Sequence, residues 1–121
     1  MQNIKESVVS ALKTYTALTT LVSDRIYFHY PNDFTTLPAI SYFEMSNVGD
    51  LYADDVEIGS EIVFQIDIWS TTSTSAIALL VDIVMVAEGF TRSASIDLFE
   101  KDTKIHHKSM KYRTDISDPN F

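Results

Sequence analysis

Residues 60–70 alternate without a break: Ile62, Phe64, Ile66 and Ile68 fall between Val63, Gln65, Asp67 and Trp69. Side chains on a strand point to opposite faces with a period of two, so this segment has one wholly apolar face and one mixed face. Such a strand cannot stand alone. It needs hydrogen-bonded neighbours and an apolar layer over its Ile/Phe face. The alternation therefore predicts a central strand with those four residues in the core.

Other segments can supply the layer. Ile4, Val8, Ala11, Leu12 and Tyr15 recur at helical spacing, and Asn3 with Glu6 has the spacing of a capping box. Leu18, Leu21 and Val22 predict a further short helical turn. A break is expected near Thr16, because the surrounding threonines are weak helix formers. Ile77, Leu80, Val81, Val84 and Met85 predict another helix. Residues 71–75 offer its N-caps, and Gly89 stands where a helix end wants a left-handed residue.

The neighbouring strands are expected at 26–30, 39–47, 90–100 and 104–115. A loop with proline at both ends, 31–38, separates the first two, at the end of a stiff Tyr/Pro-rich connector, 21–31. Residues 48–59 carry Asp50, Asp54, Asp55 and Glu57 between two glycines and read as a mobile hairpin loop. Residues 116–121 read as a short C-terminal tail. The expected fold is α+β, a mostly antiparallel β-sheet with two helices packed on one face, in the order α-β-β-β-α-β-β. A small barrel-like sandwich is the alternative. The 121 residues make one domain, 1–121, large enough to bury a core unaided.

Charge and composition narrow the function. The net charge is −8, with −9 on residues 1–91 and +1 on 92–121. An acidic body opposes tight nucleic-acid binding, which draws most of its affinity from phosphate contacts. There is no cysteine, which excludes disulfides, thiol chemistry and Cys-based zinc sites. The apolar run 76–87 is interrupted by Asp82 and falls short of the roughly 20 residues that span a bilayer, so a soluble chain without a membrane partner is expected.

No catalytic or cofactor motif stands out. His106 and His107 are adjacent on a strand and so point to opposite faces, where they cannot share a metal. The acidic cluster at 50–57 lacks EF-hand spacing. No serine lies in a Gly-x-Ser-x-Gly context, and three glycines are too few for a phosphate-cradling loop. The expected chain is not an enzyme and holds no cofactor or metal.

The residues that suggest contact are of another kind. Lys101, Lys104, Lys108, Lys111 and Arg113 make the last strand pair basic. A nucleic-acid surface is one reading, but lysines at even and odd positions fall on both faces of the strand and make no single stripe; the others are protection of an edge strand and a surface that meets the acidic body of a second copy. Leu51 and Tyr52 place an apolar pair in the acidic segment, where a monomer gains little from it. The candidate assembly contacts are thus Asp50, Leu51, Tyr52, Asp54, Asp55 and Glu57 on one side, and the basic set on the other.

Arg25-Ile26-Tyr27, then Leu37-Pro38-Ala39-Ile40, then Asp67-Ile68-Trp69, Gly89-Phe90 and the hairpin at 100–108 form an ordered set of scaffold positions. In order and spacing this set resembles the tail-completion proteins of long-tailed bacteriophages, which join tail to head. The resemblance implies a structural virion protein, similar to the tail terminators that cap the tail tube as a hexameric ring. It would be made in the cytoplasm of the host bacterium and sit at the head-proximal end of the tail. Its implied partners are the tail tube protein, the head connector proteins and further copies of itself, with DNA passing through unbound. Two other readings stay open: a head-completion protein of the connector, and a non-catalytic adaptor module.

Overall fold

The computed structural model describes residues 4–53 and 56–117, with side chains described outside 50–58 and 117. The elements are α1 (Lys5–Thr14), α2 (Thr16–Val22), β1 (Ile26–Phe28), β2 (Ala39–Ala53), β3 (Val56–Ser70), α3 (Ser75–Ala87), β4 (Thr91–Glu100) and β5 (Ile105–Ser117). The five strands form one sheet in the order β1-β2-β3-β5-β4, antiparallel except for the β1–β2 pair. The fold is α+β with a mostly antiparallel sheet, as the sequence predicts. There are three helices instead of two, because the first helical segment is divided at Tyr15.

That division has a local cause. Tyr15 is extended (ψ 103°), and its carbonyl accepts the first amides of α2, those of Leu18 and Thr19. Thr14 and Thr20 turn their hydroxyls onto the carbonyls of Ser10 and Thr16, a habit that bends helices. The expected capping box does not form among the described residues. Ile4 is the N-cap and makes no side-chain bond, and Asn3 lies outside the described residues.

β3 is the middle strand of five. Ile62, Phe64, Ile66 and Ile68 are all fully buried under the helices. They pack with Val8 and Leu12 of α1, Leu18 and Val22 of α2, and Ile77, Val81 and Met85 of α3. Leu21, expected on the α2 core stripe, faces solvent instead. α3 ends in a full Schellman arrangement. Gly89 (φ 93°) donates to Val86 O and Phe90 to Met85 O, while Phe90 and Met85 meet in the core.

The family-like scaffold positions acquire physical roles here. Arg25 Nε donates to Pro38 O at 2.8 Å, and Ile40 N to Arg25 O at 2.9 Å. These bonds clamp the two segments into the parallel β1–β2 pair. The connector 29–38 crosses the sheet face that carries no helix. Phe34 meets Trp69 edge-on with centroids 5.1 Å apart, and Tyr30 lies at 6.3 Å. The mixed face of β3 is therefore buried at one end. Trp69 stacks flat on His107 at 3.7 Å and donates Nε1–H to Ser41 Oγ at 2.9 Å. Asp67 is buried too, bonded to His107 Nε2 at 2.7 Å and to Gln65 Nε2 at 3.1 Å. A buried carboxylate is tolerated when its lone pairs are used in this way.

Two expectations change. Residues 48–59 are not a loop but strand up to Ala53 and again from Val56, paired across the hairpin to Ala53↔Val56. Residues 116 and 117 belong to β5, opposite Ser60 and Gly59. The last four residues lie outside the described part.

Candidate assembly surfaces

The strand directions sort the candidate residues. β2 and β5 run one way, β3 and β4 the other. The tip of the β2–β3 arm and the β4–β5 turn therefore occupy opposite ends of the sheet. Asp50, Leu51 and Tyr52 lie on distal β2 and Glu57 on distal β3. Asp54 and Asp55 lie outside the described residues. Lys101 and Lys104 lie in the β4–β5 turn at the other end, both exposed, with Lys104 in the left-handed region (φ 58°).

The remaining basic residues are not with them. Lys108 is on the helix face of β5 and is bonded to Asp97 at 2.8 Å. Lys111 and Arg113 are on the opposite face, where Arg113 meets Glu61 at 3.5 Å and Asp115 at 3.6 Å. Such exposed pairs contribute little stability. The five residues thus do not make one basic surface. Only Lys101 and Lys104 stand together at the end opposite the acidic arm. Edge protection by these lysines is also overturned. β5 lies between β3 and β4, so it is an interior strand, and the edge strand β4 has no lysine.

An exposed apolar stripe escaped the sequence reading. Leu79, Ile83 and Val86 recur at i, i+4 and i+7 on α3 and are each more than half exposed, on the side away from the core. The signal was present in the sequence, since α3 is apolar on every side and carries one charge, Asp82. A helix of that kind is normally covered on both sides. β4 adds Ile96, Leu98 and Phe99, again about half exposed.

Asp82 itself is held in place. It accepts from Tyr112 Oη at 2.8 Å and pairs with Arg92 Nη1 at 3.2 Å. Burial, reinforced by the Asp82 carboxylate, pushes the Tyr112 hydroxyl far above its ordinary range. The sign follows. The folded chain keeps this proton while the unfolded chain releases it near pH 10, so the contribution is complete below about pH 10 and declines above it. We expect Tyr112→Phe to cost about 1 kcal/mol at pH 7 and to remove that share of the alkaline loss. Urea unfolding at pH 7 and pH 10.5 measures both. An identical alkaline loss in parent and variant would refute the assignment.

Among the described residues, no three His, Cys, Asp or Glu side chains converge as metal ligands. His106 and His107 do separate, His106 toward Phe99 and His107 onto Trp69. An apolar groove of about 510 Å³ between α1 and the β1 edge is lined by Lys5, Glu6, Val9, Lys13, Phe28 and Tyr42 among others. No described helix is long and apolar enough to cross a membrane.

Comparison with known proteins agrees with a role in assembly. The chain is similar in structure to a chain from the virion of a native gene transfer agent particle, at TM-score 0.74 and 15% identity over 91% of each chain. At that identity the likeness is one of fold. No curated protein matches the sequence. The sequence model of the family described as tail completion protein gp17 matches residues 6–117. With nearly every described residue inside that match, the chain belongs to the tail completion protein gp17 family, whose members are structural proteins of phage particles.

Proposed function

We propose that this protein caps the tail tube of a long-tailed phage or prophage and joins tail to head, as a hexameric ring that lets DNA pass. The observation that carries the reading is the family match over residues 6–117. The surfaces support it. A ring between two partners needs a distinct contact at each end. This chain has an acidic arm at one end of its sheet and the Lys101/Lys104 turn at the other. A ring also needs side contacts, and the exposed stripe of α3 and the apolar edge of β4 are available for them. The −8 net charge suits a channel that must not hold DNA, since like charge repels the phosphate backbone.

Removal of the gene from its source genome tests the reading. After induction, electron microscopy of the lysate is expected to show filled heads beside unjoined tails. Overlong tails among them would assign termination in particular, whereas tails of normal length that fail to join would move the role toward head completion. Normally joined particles would refute the proposal.

A further inference from the structure

We infer that the exposed apolar stripe of α3 in one copy seats in the groove beside α1 of a second copy, and that this helix-in-groove contact joins neighbours in the ring. The inference rests on the ring reading and specifies its side contact.

The stripe has the spacing of a helix–helix seam. Exposed Ala76, Leu79, Ile83 and Val86 recur at intervals of three, four and three residues. That is the repeat along which two packed helices interdigitate. The three large side chains are 69%, 53% and 58% exposed, so the seam is open in the single copy.

The groove has a matching shape. β1 is three residues long and leaves the flank of α1 uncovered. The groove of about 510 Å³ follows α1 from Lys5 to Thr14, with Val9, Phe28 and Tyr42 as apolar walls. Lys5 Nζ lies over the Phe28 ring at 5.2 Å, yet Phe28 is still 53% exposed. The stems of Lys5 and Lys13 extend the apolar wall while their charges stay at the rim. At 1.5 Å per residue the stripe is about 15 Å long and the groove about 14 Å. An apolar helix face with anchors at i, i+4 and i+7 is what such a groove accepts.

Stripe and groove lie on opposite flanks of one chain. β1 and β4 are the two edges of the sheet. The groove opens beside β1, whereas α3 lies toward β4, tied to it by Asp82 and Arg92. Two different surfaces on two flanks make a head-to-tail contact, the kind that closes into rings.

Direction and charge agree. Lys5 lies over Phe28 at the end of β1, and Lys13 beside Asp24 before its start, so α1 runs against β1 and along β3. α3 leaves the end of β3 and returns against it to Thr91, which is level with Val63 through Arg113. The two helices are therefore antiparallel. Rotation about an axis roughly parallel to the strands keeps every direction, so α3 also meets the neighbour's α1 antiparallel. The end of α3 carries the negative pole of its dipole and Glu88, with no basic residue in its last turn. Antiparallel seating brings that end to the Lys5 end of a groove whose rim has two lysines and one glutamate.

The chain has no cysteine, so introduced thiols are its only ones. Ile83→Cys is combined in turn with Glu6→Cys, Ser10→Cys and Lys13→Cys, which lie along the groove about 5 Å apart. Packed helix axes are about 8–10 Å apart, so a short bis-maleimide reaches one of the three wherever Ile83 sits in the groove. Joined particles are treated and run on a denaturing gel. The expected result is a ladder of covalent multimers from at least one pair and from no single variant. Dimers from Ile83→Cys alone would place α3 against α3 of a second copy. Joined particles without a ladder would give the stripe to a different virion protein. Either result overturns the inference. Separately, Ile83→Lys is expected to leave the melting temperature of the isolated chain within about 2 °C of the parent, because the side chain is on the surface there. The same change should cut joined particles at least about tenfold by burying a charge against Val9 and Phe28, beside two lysines. Parental yields from Ile83→Lys overturn the contact as well. The ring reading fails by a different result, normal particles after loss of the gene.

Discussion

Replacing Ile66 with aspartate is expected to leave no folded protein. Ile66 is fully buried at the centre of the middle strand, flanked in register by Tyr42 of β2 and Met110 of β5. Loss of the isoleucine alone costs about 2–5 kcal/mol in burial and packing. An ionised carboxylate without partners adds several kcal/mol more, or must be protonated at comparable cost. A domain of this size has only about 5–15 kcal/mol in reserve.

Asp67, the next residue, shows that burial of a carboxylate is not what decides. It is only 3% exposed, yet it is bonded to His107 and Gln65. Position 66 lies instead within the apolar cluster that β3 forms with α1, α2 and α3. Ile66→Val, by contrast, should cost about 1 kcal/mol and keep the fold. Circular dichroism and thermal unfolding of both variants decide the matter. A cooperative transition in Ile66→Asp would mean that the helix face of β3 is not the core.

That prediction follows from the sequence almost directly, because the alternation at 62–68 reports a face and the face reports the core. The stripes Val8/Leu12 and Ile77/Val81/Met85 were legible for the same reason, and Gly89 announced its helix end. What the sequence hid was non-local. Trp69 and Asp67 alternate with the core residues on the face that the pattern leaves mixed. Trp69 is covered by the connector that carries Tyr30 and Phe34, from more than thirty residues earlier in the chain, and Asp67 is held by His107 and Gln65. The lysines of β5 looked like edge protection because local pattern does not reveal strand order. β5 enters the sheet between β3 and β4, and the edge falls to β4.

Residues 48–59 were misread for a third reason. Glycines and aspartates lower strand propensity, but in an arm that extends past the core both faces are free to be polar. There the ladder of backbone bonds, not the side-chain pattern, makes the strand. The sequence accordingly names candidate contact residues but not how the fold arranges them. Of the acidic set, Asp50 and Glu57 lie on the two strands of the arm. The basic set divides between the β4–β5 turn and the two faces of β5.

The arm supplies the second large effect, one on assembly instead of folding. Deleting residues 50–57 removes the paired tip but leaves Gly49 opposite Ser60, a register the native hairpin already has. Ile58 and Gly59 then form a two-residue connection. With Ile58→Asn it becomes Asn-Gly, the sequence that best closes a two-residue hairpin with the right twist. Ser60 keeps its pairing with Ile116 of β5, and no core residue is touched.

The shortened chain should therefore melt within a few degrees of the parent, as surface changes of this kind do. If the acidic arm is the contact with one end partner, the same deletion abolishes joined particles, and lysates contain free heads and free tails. Cooperative unfolding near the parental temperature combined with normal yields of infectious particles would remove the arm from the interface. The contact at that end would then have to be sought among the side chains nearer the sheet. A large fall in melting temperature would instead show that the arm is held against the body and serves stability.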